Sequence, residues 1–343
     1  MKIYGWEEGH LALPKVSIMI PTYNQHQYIV RAIESALGQQ YANFEILIAD
    51  DNSQDQTQEI IRDFLLRNGD ARIKYFRNGE TLGILRNYRK SLYEYASGEW
   101  VVNLDGDDVF IDPNFISDAV KLALRDDSIV LVFGDYCEYY ANSSKVINIV
   151  NKRLPQIMDC QEFLMRYSHG GIYWNHSSIL YKRNSAVRLG FYWDEIVPRN
   201  DWESFLRLII NQRVGYVRNI AAAWTQHGSN ETRRADLQKY LTNFRLIRGI
   251  AVFAIDNQLS ENFVDQWSRN MLYILARESC ISYIRNWDFR GAAVFLTYAY
   301  RERRTLPFKV LASPGIWGRF LLSFSPSVYA SIKSLVKALR SSQ

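Results

Sequence analysis

Short apolar runs alternate with helical spacings from residue 16 to residue 134, and that alternation limits the folds open to this chain. VSIMI (16–20) reads as a strand and ends at Pro21. Residues 27–37 follow with helical spacing through Ile29, Ile33 and Leu37. FEILIA (44–49) is a second strand, and 55–66 a second helix carried by Ile60, Phe64 and Leu65. IKYF (73–76), a helix over 84–96, WVVNL (100–104), a helix from Asn114 and IVLVF (129–133) continue the series. Strands without polar alternation are buried on both faces, and the intervening helices supply the cover. The expected fold is α/β, a mostly parallel, Rossmann-like sheet flanked by helices. Ligands in such sheets bind beyond the carboxyl ends of the strands.

After residue 135 the order becomes mixed, with short strands at SSILY (177–181) and VGYV (214–217) and a helix near 201–211. From about 236 to 305 the chain reads as helical and aromatic. The expected division is an α/β domain over 1–230 and a helical region over 231–343. Hydrophobic residues make up 48% of the 343, enough for a sizeable core. Cys137, Cys160 and Cys280 are far apart, with no CxxC pair, as expected of unpaired thiols in a reducing compartment. No apolar stretch reaches the length of a membrane span, and MKIYGWEEGH lacks the apolar run of a signal peptide. The expected location is cytoplasmic, at the inner face of a membrane.

LDGDD (104–108) runs a buried strand straight into three carboxylates. Such a cluster repels itself unless a cation is present, and hard oxygen ligands there suit Mg²⁺ or Mn²⁺ holding phosphates. A solvated acidic turn is the plain alternative. ADDNSQDQT places Asp50, Asp51, Ser53 and Asp55 after the second strand. Ser53 or Asp55 can cap the next helix, but one cap leaves two acids at a buried strand end unexplained. A carboxylate there can accept the N–H of a pyrimidine base. There is no GxGxxG motif and no phosphate-binding P-loop, so a bound diphosphate needs a metal rather than a glycine cradle.

PTYN (21–24), ADDNSQDQT, LGILRN (82–87) and LDGDD occur in this order and resemble the donor-binding half of family 2 glycosyltransferases, inverting enzymes of the GT-A fold. The resemblance covers roughly residues 14–230. It implies a nucleotide-sugar donor contacted by Pro21, Tyr23, Asp51, Arg86 and Asp105. Tyr23 would stack on the base and Asp51 would bond its imide. It implies a Mn²⁺ or Mg²⁺ ion held by Asp107, with Asp105 contacting either the ribose or the metal. His227, in WTQHGSNET, is similar to the family histidine that completes the metal site. RNDWESFLRL (199–208) resembles the segment that carries the general base, here Asp201, with Asn200 in place of the usual acid and Glu203 as a rival. An acidic first turn is equally what a helix dipole favours. GGIYWNHSS (170–178) lies where the family faces sugar and acceptor, so Tyr173, Trp174, Trp202 and Glu203 are candidate contacts. Each aromatic ring serves core packing as readily. His10, His26, His169 and His176 read as structural.

The implied reaction joins a sugar to a glycan or lipid-linked oligosaccharide in bacterial surface-polysaccharide synthesis. Two rivals remain. A nucleotidyltransferase would carry a glycine-rich loop early in the chain, which PTYNQHQ is not. A non-catalytic scaffold would not need Asp107, Asp201 and His227 intact. Residues 301–343 hold eight basic side chains against one acid, Glu302. SPSVYASIKSLVKALR (325–340) spaces apolar residues as an amphipathic helix. A basic tail on a near-neutral body points to an anionic membrane surface. No nucleic-acid partner is expected.

Overall fold

The structure is a computed structural model that describes residues 13–193, 200–228 and 237–317. Strand β1 (Val16–Thr22) leads to helix α1 (Ile29–Leu37), β2 (Phe44–Asp50), α2 (Thr57–Asn68), β3 (Ile73–Arg77) and α3 (Ile84–Lys90). A π-helical turn (Ser91–Tyr95) continues α3, and β4 (Trp100–Asn103), the two-residue β5 (Val109–Phe110) and α4 (Phe115–Ala123) follow. Then come β6 (Ile129–Tyr140), β7 (Lys145–Ile149), β8 (Ile157–Asp159), α5 (Cys160–Ser168), β9 (Ile179–Lys182), α6 (Arg183–Leu189), α7 (Asn200–Leu208) and β10 (Arg213–Gln226). Four helices follow, α8 (Leu237–Asp256), α9 (Glu261–Arg285), α10 (Phe289–Glu302) and α11 (Leu306–Leu311), and residues 314–317 are again helical.

Among the described residues the strands form one sheet in the order β3-β2-β1-β4-β9-β6-β10-β5, with β7 beside β6 and β8 beside β10. The first four are parallel, as the alternation predicts. Strands β1, β2 and β4 are buried along their whole length, because helices cover both faces. The remainder is mixed. Strand β9 enters between β4 and β6 and runs antiparallel to both. Strand β6 therefore keeps the direction of β4 without touching it.

Of the described residues, those within Met1–Asp159, Tyr173–Asp194 and Gln212–His227 form one compact unit, and those within Cys160–Ile172, Glu195–Asn211 and Gly228–Gln343 form a second. The first contains the whole sheet. Its core is built from Ile18, Ile20, Ile46, Ile48 and Val102 with Ala32 and Ile33 of α1 and Phe115 and Ile116 of α4. Each of these side chains apart from Ala32 contributes about 1.5–3 kcal/mol on burial. The second unit is helical. The long helix α9 buries Trp267, Met271, Leu275 and Tyr283. Arg303 donates to Asp265 of α9 at 2.6 Å, which takes one tail cation out of the solvent-facing set. The amphipathic segment at 325–340 lies outside the described residues. The three cysteines are free and buried, as expected.

At the amino-terminal end of the sheet, buried Glu45 gathers bonds from Lys15 and Lys74 (both 2.8 Å), Ser17 Oγ (2.7 Å) and the Ser97 amide (2.9 Å). Burial alone would raise its carboxyl, but these bonds outweigh it and hold the group down at about 2. A depressed carboxyl stabilises the fold above its unfolded value and loses that contribution as pH falls through the folded one. The native chain should therefore lose stability between pH 4.5 and about 2. The Glu45 share is at most about 3 kcal/mol, reduced by screening at the half-exposed lysines. Urea unfolding at pH 7 and pH 3 checks this. Glu45→Gln should be weaker at pH 7 and should show a smaller drop on acidification than the native chain.

Candidate active site

The parallel strands deliver their following loops to one edge of the sheet. The loop after β1 is locked to the loop after β2 by side chains. The Asn24 amide donates to Ser53 Oγ (2.9 Å), the Gln25 amide to Thr57 Oγ1 (2.9 Å) and the Gln54 amide to Asn24 Oδ1 (2.8 Å). His26 Nδ1 lies 2.7 Å from Asp55 Oδ2, a structural bond as its sequence context suggests. Asn24 and Asn52 take positive φ of 54° and 62°, which asparagine tolerates. Pro21 is buried at the end of β1, and the Tyr23 ring stands 46% exposed beside it.

The two acids after β2 divide their work. Asp50 is fully buried, and its carboxylate accepts from the Ser53 amide and the Tyr75 hydroxyl (both 2.8 Å). It also pairs with Arg77 at 3.4 Å. It is a structural acid. Asp51 accepts from the Leu82 and Gly83 amides (both 2.8 Å) and from Asn78 Nδ2 (3.0 Å). Asn78 also donates to Asn87 Oδ1 (3.0 Å), and Asn87 donates to the Ala49 carbonyl (2.8 Å). The chain after β3 is thus tied to the end of β2. Gly83 makes the turn with φ 90° and ψ 157°, a conformation essentially reserved for glycine. Arg86, exposed in the first turn of α3, follows at once. Asn78 has no motif to mark it. Asn87 lies inside LGILRN, where it was open to notice.

After β4, Asp105 and Asp107 are half-buried and Asp108 is buried. Asp108 accepts from Ser177 Oγ (2.6 Å) and from the Thr225 amide (2.9 Å). Burial pushes its carboxyl well above the ordinary carboxylate range, the charge of Asp107 adds to this, and the two hydrogen bonds oppose it. The Gly106 amide donates to the Pro21 carbonyl (3.2 Å). A β-carbon at Gly106 would stand 2.8 Å from Thr22 Oγ1 and 3.0 Å from Thr22 Cβ, so glycine lets this loop close on β1.

Pairing of Phe110 and Val109 with Ala222 and Ala223 carries the end of β10 to this loop. His227 is 7% exposed, with Nε2 2.8 Å from Asp107 Oδ2. The Tyr28 ring stacks on its imidazole at 4.8 Å. Asp107 and His227 are therefore neighbours. Among the described residues no three His, Cys, Asp or Glu side chains form a ready-made metal cage. One carboxylate oxygen and one imidazole nitrogen do suit Mn²⁺ or Mg²⁺ when substrate phosphates supply further oxygens.

The segment 173–178 is fixed at almost every residue. Asn151 accepts from the Tyr173 amide (2.7 Å) and donates to its carbonyl (2.8 Å), leaving the Tyr173 ring exposed. Trp174 meets Phe133 edge-on at 6.2 Å. Asn175 accepts from the Ser177 amide (2.9 Å), and Ser177 reaches Asp108. Between them His176, half-buried, bonds to Asn103 at the end of β4 and packs against Tyr88 at 4.9 Å. Asn103 also donates to the Tyr192 hydroxyl (2.8 Å). Tyr192 holds a positive φ of 54°, and Arg89 donates to its carbonyl at 3.3 Å. Sequence reading missed Asn103, Tyr88 and Tyr192, because buried polar and aromatic residues follow no period.

Asp201, Trp202 and Glu203 belong to the second unit, in the first turn of α7. Trp202 is buried and donates to the Tyr167 hydroxyl. Glu203 is 3% exposed and pairs with Arg207 at 3.4 Å. Asp201 remains half-buried. Trp202 and Glu203 thus face packing partners of their own unit.

Residues 17–180 match the model of glycosyl transferase family 2. An Escherichia coli UDP-Glc:alpha-D-GlcNAc-diphosphoundecaprenol beta-1,3-glucosyltransferase is 32% identical over 195 residues, which is 51% of this chain and 74% of that protein. A Campylobacter jejuni GalNAc(5)-diNAcBac-PP-undecaprenol beta-1,3-glucosyltransferase is 36% identical over 96 residues, 28% of this chain and 30% of that one. Among solved structures, S. aureus TarS 1–349 in complex with UDP-GlcNAc superposes with a TM-score of 0.62 at 17% identity, covering 90% of this chain and 91% of that one. A mannosyltransferase from Pyrobaculum calidifontis in complex with GDP-Man and Mn²⁺ gives 0.56 at 17% identity, covering 95% and 88%. The fold is GT-A.

The Asp108 brace yields a stability test. Asp108→Asn keeps the shape, an acceptor for the Thr225 amide and a partner for Ser177. It should unfold at nearly the native urea midpoint. Asp108→Ala leaves both buried groups unsatisfied and should cost about 2–4 kcal/mol. Equal loss in the two variants would show that charge, not bonding, is what this position supplies.

Proposed function

The chain belongs to glycosyl transferase family 2 and takes its sugar from a nucleotide-sugar donor, and from that premise we propose a UDP-sugar-dependent, metal-dependent transferase that inverts the anomeric carbon. The acceptor in this reading is a hydroxyl of a glycan or lipid-linked oligosaccharide at the inner face of the cell membrane. The observation that carries it is the meeting of Asp107 and His227, 2.8 Å apart, beside the loops held by Asp51 and Asp108. The acceptor class is supported by two relatives whose names specify undecaprenol-linked diphosphates.

In this reading the exposed Tyr23 ring stacks on uracil. Asp51 uses three of the roughly four acceptor positions of a carboxylate on protein donors, leaving one on Oδ2 for the imide N–H. Arg86 contacts the nucleotide and Asp105 the ribose. Asp107 and His227 hold the metal. Bound there, Mn²⁺ or Mg²⁺ supplies positive charge to balance the departing diphosphate. The acceptor oxygen attacks the anomeric carbon as the bond to the diphosphate breaks. The hydroxyl proton goes to Asp201. Pairing with Arg207 makes Glu203 the weaker candidate for that role. Tyr173 and Trp174 present aromatic faces to sugar. Trp202, packed against Tyr167, would act through the position of α7.

A screen of UDP-, GDP- and dTDP-sugars with Mn²⁺, reading nucleotide release, tests the donor. Asp107→Ala should abolish Mn²⁺-dependent UDP binding in calorimetry, and His227→Ala should weaken it. Native-like UDP and Mn²⁺ binding by Asp107→Ala would overturn the metal assignment.

The base has its own test. Asp201→Asn should keep donor affinity and lose transfer by about 10²–10⁴-fold. Glu203→Gln should lose far less. The reverse order would move the role to Glu203.

A further inference from the structure

A row of large apolar side chains stands exposed at the end of the helical unit. Trp287, Phe289, Tyr300, Phe308, Leu311 and Trp317 all face solvent, with Phe308 67% exposed and both tryptophans 54%. Within α10 the exposed positions Arg290, Ala293, Val294, Thr297, Tyr300 and Arg301 recur at three- and four-residue spacing, hence on one face. Phe295 and Ala299 form the opposite, buried face. Arg290, Arg301, Arg304 and Lys309 are exposed and alternate with the apolar groups along the sequence. From Trp287 to Trp317 there are two acids: Asp288, exposed and bonded to the Gly291 amide as the cap of α10, and Glu302, half-buried and paired with Arg248.

Exposed apolar patches of this kind mark binding surfaces. The charge pattern selects the partner. A two-fold contact with a second copy would set the patch against itself, and a patch with four exposed cations against one exposed acid, Asp288, repels itself. An anionic lipid surface complements it, since aromatic rings enter the headgroup boundary while arginine and lysine meet lipid phosphates. No helix among the described residues is long and apolar enough to cross a membrane, so contact would be at the surface. We propose that the exposed side chains between Trp287 and Trp317, on α10, α11 and the turns that flank them, dock on an anionic bilayer. This goes beyond the donor and metal assignments. It rests on the surface rather than on the transfer chemistry, so the two fail separately.

The test is co-sedimentation of the full-length protein with vesicles of phosphatidylglycerol in phosphatidylcholine, against phosphatidylcholine alone. The protein should pellet with the anionic vesicles at low salt and release as salt rises. Phe308→Ser with Trp317→Ser, and separately Arg301→Glu with Arg304→Glu, should each weaken partition by about tenfold or more. Both variants should keep the native circular dichroism and thermal midpoint. Native protein left in the supernatant would overturn the proposal, as would native-like binding by both variants. A lowered midpoint in Phe308→Ser with Trp317→Ser would show that the chain itself covers these rings. A dimer that the substitutions dissociate would assign the face to a second copy. Either result also overturns it.

Discussion

Parallel strands place their loops at one edge of a sheet but do not fix them, because the loops begin where the ladder of backbone bonds ends. In this chain buried carboxylates take over that task. Asp51 binds two successive amides of the loop after β3. Asp108 binds an amide at the end of β10 and a hydroxyl ahead of β9. A carboxyl group accepts at several positions, so one side chain can hold two segments. The acids that look alike in the sequence therefore separate by burial. Asp50 and Asp108 are structural, Asp51 is structural with one acceptor position open, and Asp107 faces His227.

The first half of the sheet was legible because strands buried on both faces lose polar alternation, and β1, β2 and β4 are buried throughout. The insertion of β9 was not legible. ILYK looks the same whether it runs parallel or antiparallel, and its place is decided by β4 and β6 on either side. The helix expected over 84–96 forms, but its last turn widens to a π-helix at Ser91–Tyr95. The neighbourhood of Asp107 and His227 depends on β5, two residues long, which has no period to read. Only the family resemblance anticipated it. The Asn78–Asn87 network was invisible for the related reason that buried amides carry no hydrophobic pattern.

Segment 173–178 shows how exposure and rigidity combine. A loop aromatic that waves in solvent loses entropy when it binds, whereas Tyr173 has its backbone fixed from both sides by one asparagine side chain. His176 is set between Tyr88 and Asn103, and Asn103 is itself bonded to Tyr192 in a strained conformation. Strain of this kind costs about 1–3 kcal/mol and persists where surrounding bonds over-determine it. Arg89 supplies part of that restraint through the Tyr192 carbonyl. The segment is thus preorganised, with its polar and aromatic groups already held in place.

Charge in the helical unit follows a similar logic of exposure. Counted along the sequence, Arg301, Arg303, Arg304 and Lys309 look equivalent. In the structure Arg303 is spent on Asp265, which also pairs with Arg269. A cation so paired adds little to the field outside the protein, because its partner cancels it within a few ångströms. Arg301, Arg304 and Lys309 are exposed, and Phe308 and Trp317 stand close by in sequence. Net charge therefore locates the basic region, but the pattern of pairing decides which of its residues can act on a partner. Salt should screen those exposed cations readily and leave the apolar contribution unchanged, since the Debye length shrinks with ionic strength while buried area does not.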